Sequence, residues 1–335
     1  MTAEVWSIVP VGSGNVGHVP DLFRKVYGDE YLHREVYHPE ALWQQIQTGN
    51  IVAVLAYSPL GLPVGYVALG RLSYNPRIWE EQGLIVDPKY NDSGVAIPLA
   101  EYFTKRENHR NIDIDGIFSY AVCHHYFTQI ICAKAGWNDC FLMVDFIDKS
   151  LYTQQPDTTR VACVMMYAEF TEQKEIVYLP RQYEDIIRQI AQPLYPREFR
   201  MAKDSLPDSH VTICEYTGHM PAGSWQIAVR DIGADWSDIV SEILEQAHQR
   251  KIVSLQVILN MACPYIDAAV TILREQGFFL GGLAPRWFAS DGILMQRILG
   301  KEPDYDTIKL YTRPGKNLLV SVRTDQQAVR QLSAQ

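Results

Sequence analysis

Val86-Asp87-Pro88-Lys89-Tyr90-Asn91-Asp92-Ser93-Gly94-Val95-Ala96-Ile97-Pro98-Leu99 is the stretch on which the fold turns. The apolar run Leu84-Ile85-Val86 breaks at Asp87-Pro88. After a short polar loop the chain resumes with Val95, Leu99, Tyr102 and Phe103 at helical spacing. A strand that ends in a loop and opens a helix gathers free backbone N–H groups and the positive end of a helix dipole at one point, which suits an anion. Gly94 and Ala96 would let a diphosphate approach the backbone closely. The plainer alternative is a strand–turn–helix junction in which Asp92 caps the helix.

Working outward, the first half reads as strand, two helices, three strands, helix, strand, helix and two strands. The spans are Glu4–Val11, Asp21–Val26, Pro39–Gln47, Ile51–Tyr57, Pro63–Leu69, Glu81–Val86, the helix above, Gly116–Ala121, Tyr126–Ala135, Cys140–Ile147 and Val161–Phe170. A polar loop containing Gln154–Asp157 joins the last two. The second half repeats the plan loosely, with strands at Glu175–Tyr178, His210–Tyr216, Trp225–Asp231, Val253–Leu259 and Gly292–Ile298. Its helices are Tyr183–Ile190, Trp236–His248 and Ile266–Gln276. The closest internal echo is Ala133-Lys134-Ala135-Gly136-Trp137 against Arg274-Glu275-Gln276-Gly277-Phe278. A repeat of this size is a domain duplication. The class is α+β around mixed sheets, with a boundary in the polar stretch Thr171–Lys174.

Composition narrows the function. With 335 residues, 47% of them hydrophobic, the chain can bury two cores. The net charge of −9 repels phosphate backbones, and the densest basic stretch, Lys105–Arg110, reads as a helix end, so no nucleic-acid partner is expected. The N-terminus lacks a signal-peptide pattern and no apolar run is long enough to span a bilayer, so no membrane association is expected either. Six scattered cysteines fit buried thiols in a reducing cytoplasm. Gly12-Ser13-Gly14-Asn15-Val16-Gly17 matches a dinucleotide fingerprint, but Pro20 follows early and no second strand ending in an acidic residue comes within about twenty residues. A glycine-rich turn into the first helix is the better reading. Cys123-His124-His125 offers adjacent side chains that diverge on a helix, so no metal site is expected.

The loop resembles that of the GNAT superfamily of N-acetyltransferases. That family carries strand, Val-x-Pro, Tyr, Arg/Gln-x-x-Gly-x-Gly/Ala and helix at this point; here Val86-x-Pro88, Tyr90 and Gly94-x-Ala96 match, while Asn91 replaces Arg or Gln, and Asp92 and Ser93 replace glycine or basic residues. The resemblance implies two tandem GNAT-like folds, residues 1–172 and 173–335. It also implies an acetyl-CoA, or another acyl-CoA, held by Leu84, Ile85, Val86, Asn91, Asp92, Ser93, Gly94, Val95 and Ala96. The activity it implies is acyl transfer to a primary amine of a small molecule or peptide by direct attack.

The same resemblance supplies roles for further residues. Gly136-Trp137 matches the family's Gly-aromatic end of the next helix, with Cys132 at the position of the usual catalytic tyrosine and Tyr126 as a substitute acid. His125 falls where the family often has a CoA-contacting Asn. A carboxylate near the central strand would take the amine proton. Glu80 and Glu81 both precede Leu84, and Glu81 is favoured. Tyr31, His33, Glu35 and Tyr37 fall in the link that walls the acceptor pocket. In the second half, Asp231-Ile232-Gly233-Ala234-Asp235-Trp236 crowds carboxylates where a phosphate would dock, and Leu273 stands at the tyrosine position, so that copy reads as a degenerate scaffold or a homodimer contact. Two rivals stand: a non-catalytic acyl-CoA or metabolite sensor, and amide formation with a larger acyl donor.

Overall fold

The computed structural model describes residues 6–333 except 30, 32, 72–73, 106–107, 109–111, 149–159, 204 and 221–222. The start of the first expected strand, most of Lys105–Arg110 and the loop Gln154–Asp157 lie outside the described residues. Contacts divide the chain into two compact units. One is Met1–Ser119 with Lys134–Gly136 and Lys149–Thr158; the other is Tyr120–Ala133, Trp137–Asp148 and Thr159–Gln335. Thr171–Lys174 lies inside the second. Among the described residues no helix is long and apolar enough to cross a membrane.

In the first unit, β1 (Ser7–Pro10), β2 (Ile51–Tyr57), β3 (Pro63–Arg71) and β4 (Ile78–Val86) pair antiparallel in chain order. β5 (Gly116–Val122) begins parallel to β4. Residues Gly12–Gly17 form a turn in which the Asn15 side chain accepts from the Gly12 amide at 2.7 Å and donates to the Pro10 carbonyl at 3.1 Å. α1 (Val19–Tyr27) follows, with Val19, Leu22 and Phe23 buried on one face and Gly28 ending it at φ 62°. α2 (Pro39–Gln47) buries Leu42. Both helices cover the sheet face formed by Ala53, Leu55, Tyr66, Ala68 and Ile85.

One expected helix is much shorter than its spacing suggested. α3 covers only Ala96–Ala100, and Tyr102 and Phe103 lie in the turns that follow. Pro98 removes a donor, Thr104 Oγ1 donates to the Glu101 carbonyl at 2.7 Å, and Asn108 Nδ2 donates to the Tyr102 carbonyl at 2.7 Å. These side chains compete with helix propagation. Leu99 packs from α3 onto Gly65, on the sheet face opposite α1 and α2.

The second unit contains α4 (Phe127–Lys134), β6 (Asn138–Asp148), β7 (Arg160–Glu169), β8 (Val177–Leu179), α5 (Glu184–Ala191) and β9 (Phe199–Met201). It continues with β10 (Ile213–Met220), β11 (Ser224–Asp231), α6 (Trp236–Gln249), β12 (Ser254–Asn260), α7 (Ile266–Glu275), β13 (Phe279–Ala284), β14 (Gly292–Ile298) and α8 (Arg313–Ser333). Its main sheet runs β7-β6-β13-β14-β12-β11-β10, and among the described residues only β11 and β12 are parallel there. β13 meets β6 at one register pair, Gly282 with Phe141. A Cβ on Gly282 would stand 2.4 Å from the Cys140 carbonyl, so only glycine permits the approach. The fully buried Gln296 of β14 supplies bonds that the short ladder lacks: it accepts from the Val144 amide at 2.9 Å and donates to the Leu142 carbonyl at 2.8 Å.

The 21-residue α8 went unrecognised in the sequence. Its buried stripe is sparse, Leu318, Val322 and Val329 among charged and amide side chains, so its apolar period is weak.

Gln129 on α4 is completely buried. Its amide nitrogen donates to the carbonyls of Val122, His125 and Lys309, and its oxygen accepts from the Tyr311 amide at 2.9 Å. Replacing it with leucine keeps the volume and strands those backbone groups. The expected loss is about 2–4 kcal/mol, read by urea unfolding with an unchanged m-value. A loss below about 1 kcal/mol would mean that water replaces the bonds.

Candidate functional site

β4 carries the groups that matter. Its register against β3 slips between Tyr66–Ile85 and Ala68–Gln82, so one extra residue is accommodated near Gly83, at φ 65°. A Cβ there would lie 3.1 Å from Phe23 Cζ and 3.3 Å from Tyr66 Cε1. Glycine thus lets an aromatic cluster close onto the strand. The Phe23 ring sits 4.8 Å from Tyr31 and 5.3 Å from Tyr66, and Tyr31 lies 5.7 Å from the His33 ring. The Tyr37 hydroxyl accepts from the Tyr31 amide at 3.0 Å. Tyr31, His33, Glu35, Tyr66, Gln82 and Gly83 line a small cleft of about 10 Å³, room for roughly one water.

The charges in this cluster are coupled. His33 Nδ1 lies 3.5 Å from Glu35 Oε1. Burial works against the His33 charge, but Glu35 and Glu80 outweigh it and raise its pKa above the ordinary 6.5. The hydrogen bond from His33 lowers Glu35. Burial raises Glu80, with His33 pulling the other way.

The structure brings Tyr31, His33, Glu35 and Tyr37 together, with Glu80 beside them rather than Glu81. Glu80 pairs with Gly70, and Glu81 with Leu69. Neighbouring residues on a strand face opposite ways. Glu81 accordingly points to the α3 face, 6% exposed, and its Oε2 has no hydrogen-bond partner among the described residues. Burial pushes its carboxyl up to about 8. The glycine-marked bulge and Gln82 were also missed; a glycine inside an apolar strand is the signal that announces such a bulge.

The pairing of β4 with β5 covers only Ile78–Glu80 against Gly116–Phe118. Leu84, Ile85 and Val86 continue past it, bonded on the β3 side. The loop beyond is tighter than a bare strand–helix junction. Pro88–Ser93 forms a 3₁₀ turn, which commits the amides of Asn91 to Ser93 largely to internal i→i+3 bonds. The Val95 amide donates to Ser93 Oγ at 3.4 Å. Gly94 takes φ 83°, and the space where its Cβ would be is open. Ala96 starts α3, and Asp92 is exposed. Asp87 caps the turn through the Lys89 amide and receives Lys25 Nζ at 2.6 Å. Burial would raise Asp87, but those bonds hold it below the ordinary range.

His125, Tyr126 and Cys132 belong to the second unit. His125 Nδ1 accepts from the Phe127 amide at 3.3 Å, so it caps α4; burial lowers its pKa. Tyr126 is 42% exposed, whereas Cys132 is 3% exposed inside α4. The loop after β11 is closed. Gly233 N donates to Thr212 Oγ1 at 3.0 Å, Ala234 N to the His210 carbonyl at 3.1 Å, and Ile232 N to Asp231 Oδ1 at 2.9 Å. Asp235 Oδ1 receives both the amide and the hydroxyl of Thr212 at 2.8 Å. No anion can reach those N–H groups without displacing His210–Thr212.

No family model matches the chain, and no curated protein matches it. Solved structures similar to it include a spermidine/spermine N-acetyltransferase from Vibrio cholerae, at 14% identity and TM-score 0.39 over 49% of this chain and 92% of that one. Another is an N-acetyltransferase from Staphylococcus aureus, at 9% identity and TM-score 0.40 over 49% of this chain and 98% of the other. A third, from Desulfovibrio desulfuricans and assigned to the GNAT family, overlaps 49% of this chain and 99% of its own at 12% identity and TM-score 0.38.

Proposed function

We propose that this protein transfers an acyl group from acyl-CoA, acetyl-CoA in the simplest case, to a primary amine of a small molecule or peptide. The observation that carries the reading is the meeting of Glu80, His33 and Glu35 on one face of β4, next to the point where that strand leaves its pairing with β5. A carboxylate whose pKa burial raises above the ordinary range is a stronger base than a solvated one, which suits it to take the proton that an ammonium must lose before it attacks. The His33–Glu35 pair lies beside it, with Glu35 favouring the protonated imidazole, and Tyr31 and Tyr66 wall the acceptor side.

Leu84–Val86, without a β5 partner, suits an extended amide-bearing arm, and Gly94–Ala96 suits the diphosphate, with Asn91, Asp92 and Ser93 flanking it. The cofactor would supply the activated thioester. His125 remains a proposed cofactor contact. Of the two groups proposed to return a proton, the exposed Tyr126 is better suited than the buried Cys132.

Residues 173–335 are proposed as a second, degenerate copy. Its run β11-α6-β12-α7-β13-β14 has the element order of β4-α3-β5-α4-β6-β7, and both begin on a parallel pair and end on an antiparallel one. Six unpaired cysteines, five of them buried, suit a cytoplasmic protein.

The second reading, an acyl-CoA sensor without turnover, is favoured by the internally bonded 3₁₀ turn and the small cleft. Thermal shifts with CoA, acetyl-CoA and longer acyl-CoAs, followed by thiol release across an amine panel, separate the readings. Turnover is expected, and Glu80→Gln should reduce kcat about 10²-fold or more with little change in KM for acyl-CoA. Stabilisation without thiol release selects the sensor. No stabilisation by any CoA removes both.

A further inference from the structure

A cavity of about 250 Å³ lies wholly within the second unit and shares no residue with the site above. It forms where the end of α7, the start of β13, the end of β14 and the last turns of α8 meet. Phe279, Ile298 and Val329 make an apolar side; Arg297, Gln326 and Arg330 make the polar one.

Those polar side chains offer donors and no free acceptor. Arg297 is half-buried and makes no hydrogen bond or ion pair among the described residues. Burial lowers its pKa, and no acidic neighbour raises it. Gly277 ends α7 at φ 83° and lies beside the guanidinium, where a Cβ would stand 3.4 Å from Arg297 Nε. Gln326 is 5% exposed. The Tyr305 hydroxyl donates to its Oε1 at 2.8 Å, which fixes the carboxamide and leaves Nε2 with no acceptor among the described residues. Neither that nitrogen nor the guanidinium is sealed off, so both donors face the cavity. Arg330, one turn further along α8, is already paired with Glu302. The cavity therefore holds one unmatched positive charge and one unmatched amide donor against an apolar wall. A guanidinium taken partly out of water without a counter-ion is held at a cost, which a bound anion offsets.

We propose that this cavity binds a small monocarboxylate with a short hydrocarbon chain. Its oxygens take the forked N–H groups of Arg297 and the Nε2 group of Gln326, and its chain lies along Ile298 and the edges of Phe279 and Val329. One free cation matches a monoanion. A phosphate dianion would bring a second charge while Arg330 is committed to Glu302, and an ammonium would meet only donors. The volume, just under the ~300–1,000 Å³ of ordinary small-molecule sites, suits a ligand of a few carbons.

The test is a titration of the full chain with sodium butyrate at fixed ionic strength, followed by the Arg297 Nε–H signal in ¹H–¹⁵N spectra. Arg297→Met identifies that signal by its loss. A saturable shift is expected, weakened about tenfold or more in Gln326→Leu and abolished in Gln326→Glu, whose own carboxylate answers Arg297 from within the cavity. Phosphate and butylamine should each bind about tenfold or more weakly than butyrate. Arg297→Met removes a charge that has no partner to strand, so it should melt no lower than the parent. Butyrate should raise the Tm of the parent and not of that variant. An absent or non-saturating shift overturns the proposal. So does phosphate or butylamine binding as tightly as butyrate, or a butyrate-dependent rise in Tm that survives in Arg297→Met.

Discussion

Arg197→Met should destabilise the protein by about 3–5 kcal/mol. Arg197 has no exposed side-chain surface and bridges two buried carboxylates, 2.7 Å from Glu169 Oε2 and 3.0 Å from Asp291 Oδ2. The contact to Glu169 is two-pronged, with both terminal nitrogens at 2.7 Å. Burial opposes the guanidinium charge, yet Asp291 and Glu169 outweigh it and hold its pKa above the ordinary value. Methionine fills similar space but leaves two carboxylates facing each other without a cation. Urea unfolding at pH 8 reads the loss. Arg197→Lys, which keeps the charge and loses the two-pronged geometry, should fall between the two proteins. A methionine variant as stable as the parent at pH 8 would show that the network contributes nothing net.

Glu81→Gln should have the opposite sign at high pH. The Glu81 carboxyl is raised from an ordinary 4.5 to about 8 by burial alone. An acid raised in the folded state is held protonated there while the unfolded chain ionises. Its effect is therefore a loss of stability as pH rises from about 4.5, complete by about 8. Each unit is worth about 1.4 kcal/mol, so the fall across that window is on the order of 5 kcal/mol. Glutamine cannot ionise, and its variant should lack this slope, ending more stable than the parent at pH 8.5 and about equal at pH 4.5. Parallel slopes for the two proteins would mean that Glu81 is hydrated. The substitution also bears on the site. Because Glu80 and not Glu81 lies beside His33, Glu81→Gln should leave any amine acyl transfer within about twofold, where Glu80→Gln should not.

That pair of neighbouring glutamates marks how far the sequence could be read. The element order of the first half was legible because helical and alternating periods are local properties. α1, α2 and the strands through β7 lie where their apolar spacing put them, within a few residues. The cluster of Tyr31, His33, Glu35 and Tyr37 was visible as an unusual density of aromatic and titratable groups in a link. The choice between Glu80 and Glu81 was not visible. Facing on a strand has period two, and the bulge at Gly83 shifts the phase between Leu84–Val86 and everything before it. α8 escaped for a related reason: Leu318, Val322 and Val329, its buried apolar side chains among the described residues, are too few in 21 positions to give a helical period any amplitude.

Local chemistry, then, settled what the chain contains: its succession of strands and helices, its acidic surface, its glycine-ended helices and the loop after Val86. Partnership was decided only by the folded chain. It turned Glu80 toward His33 and Glu81 away, spent the amides of Asn91–Ser93 on a 3₁₀ turn, closed Gly233 and Ala234 against His210–Thr212, and left Arg297 with no anion beside it among the described residues. The reason is that hydrogen bonds and charges are satisfied across large sequence separations, 173 residues in the case of Asp139 and Thr312, which no local period records.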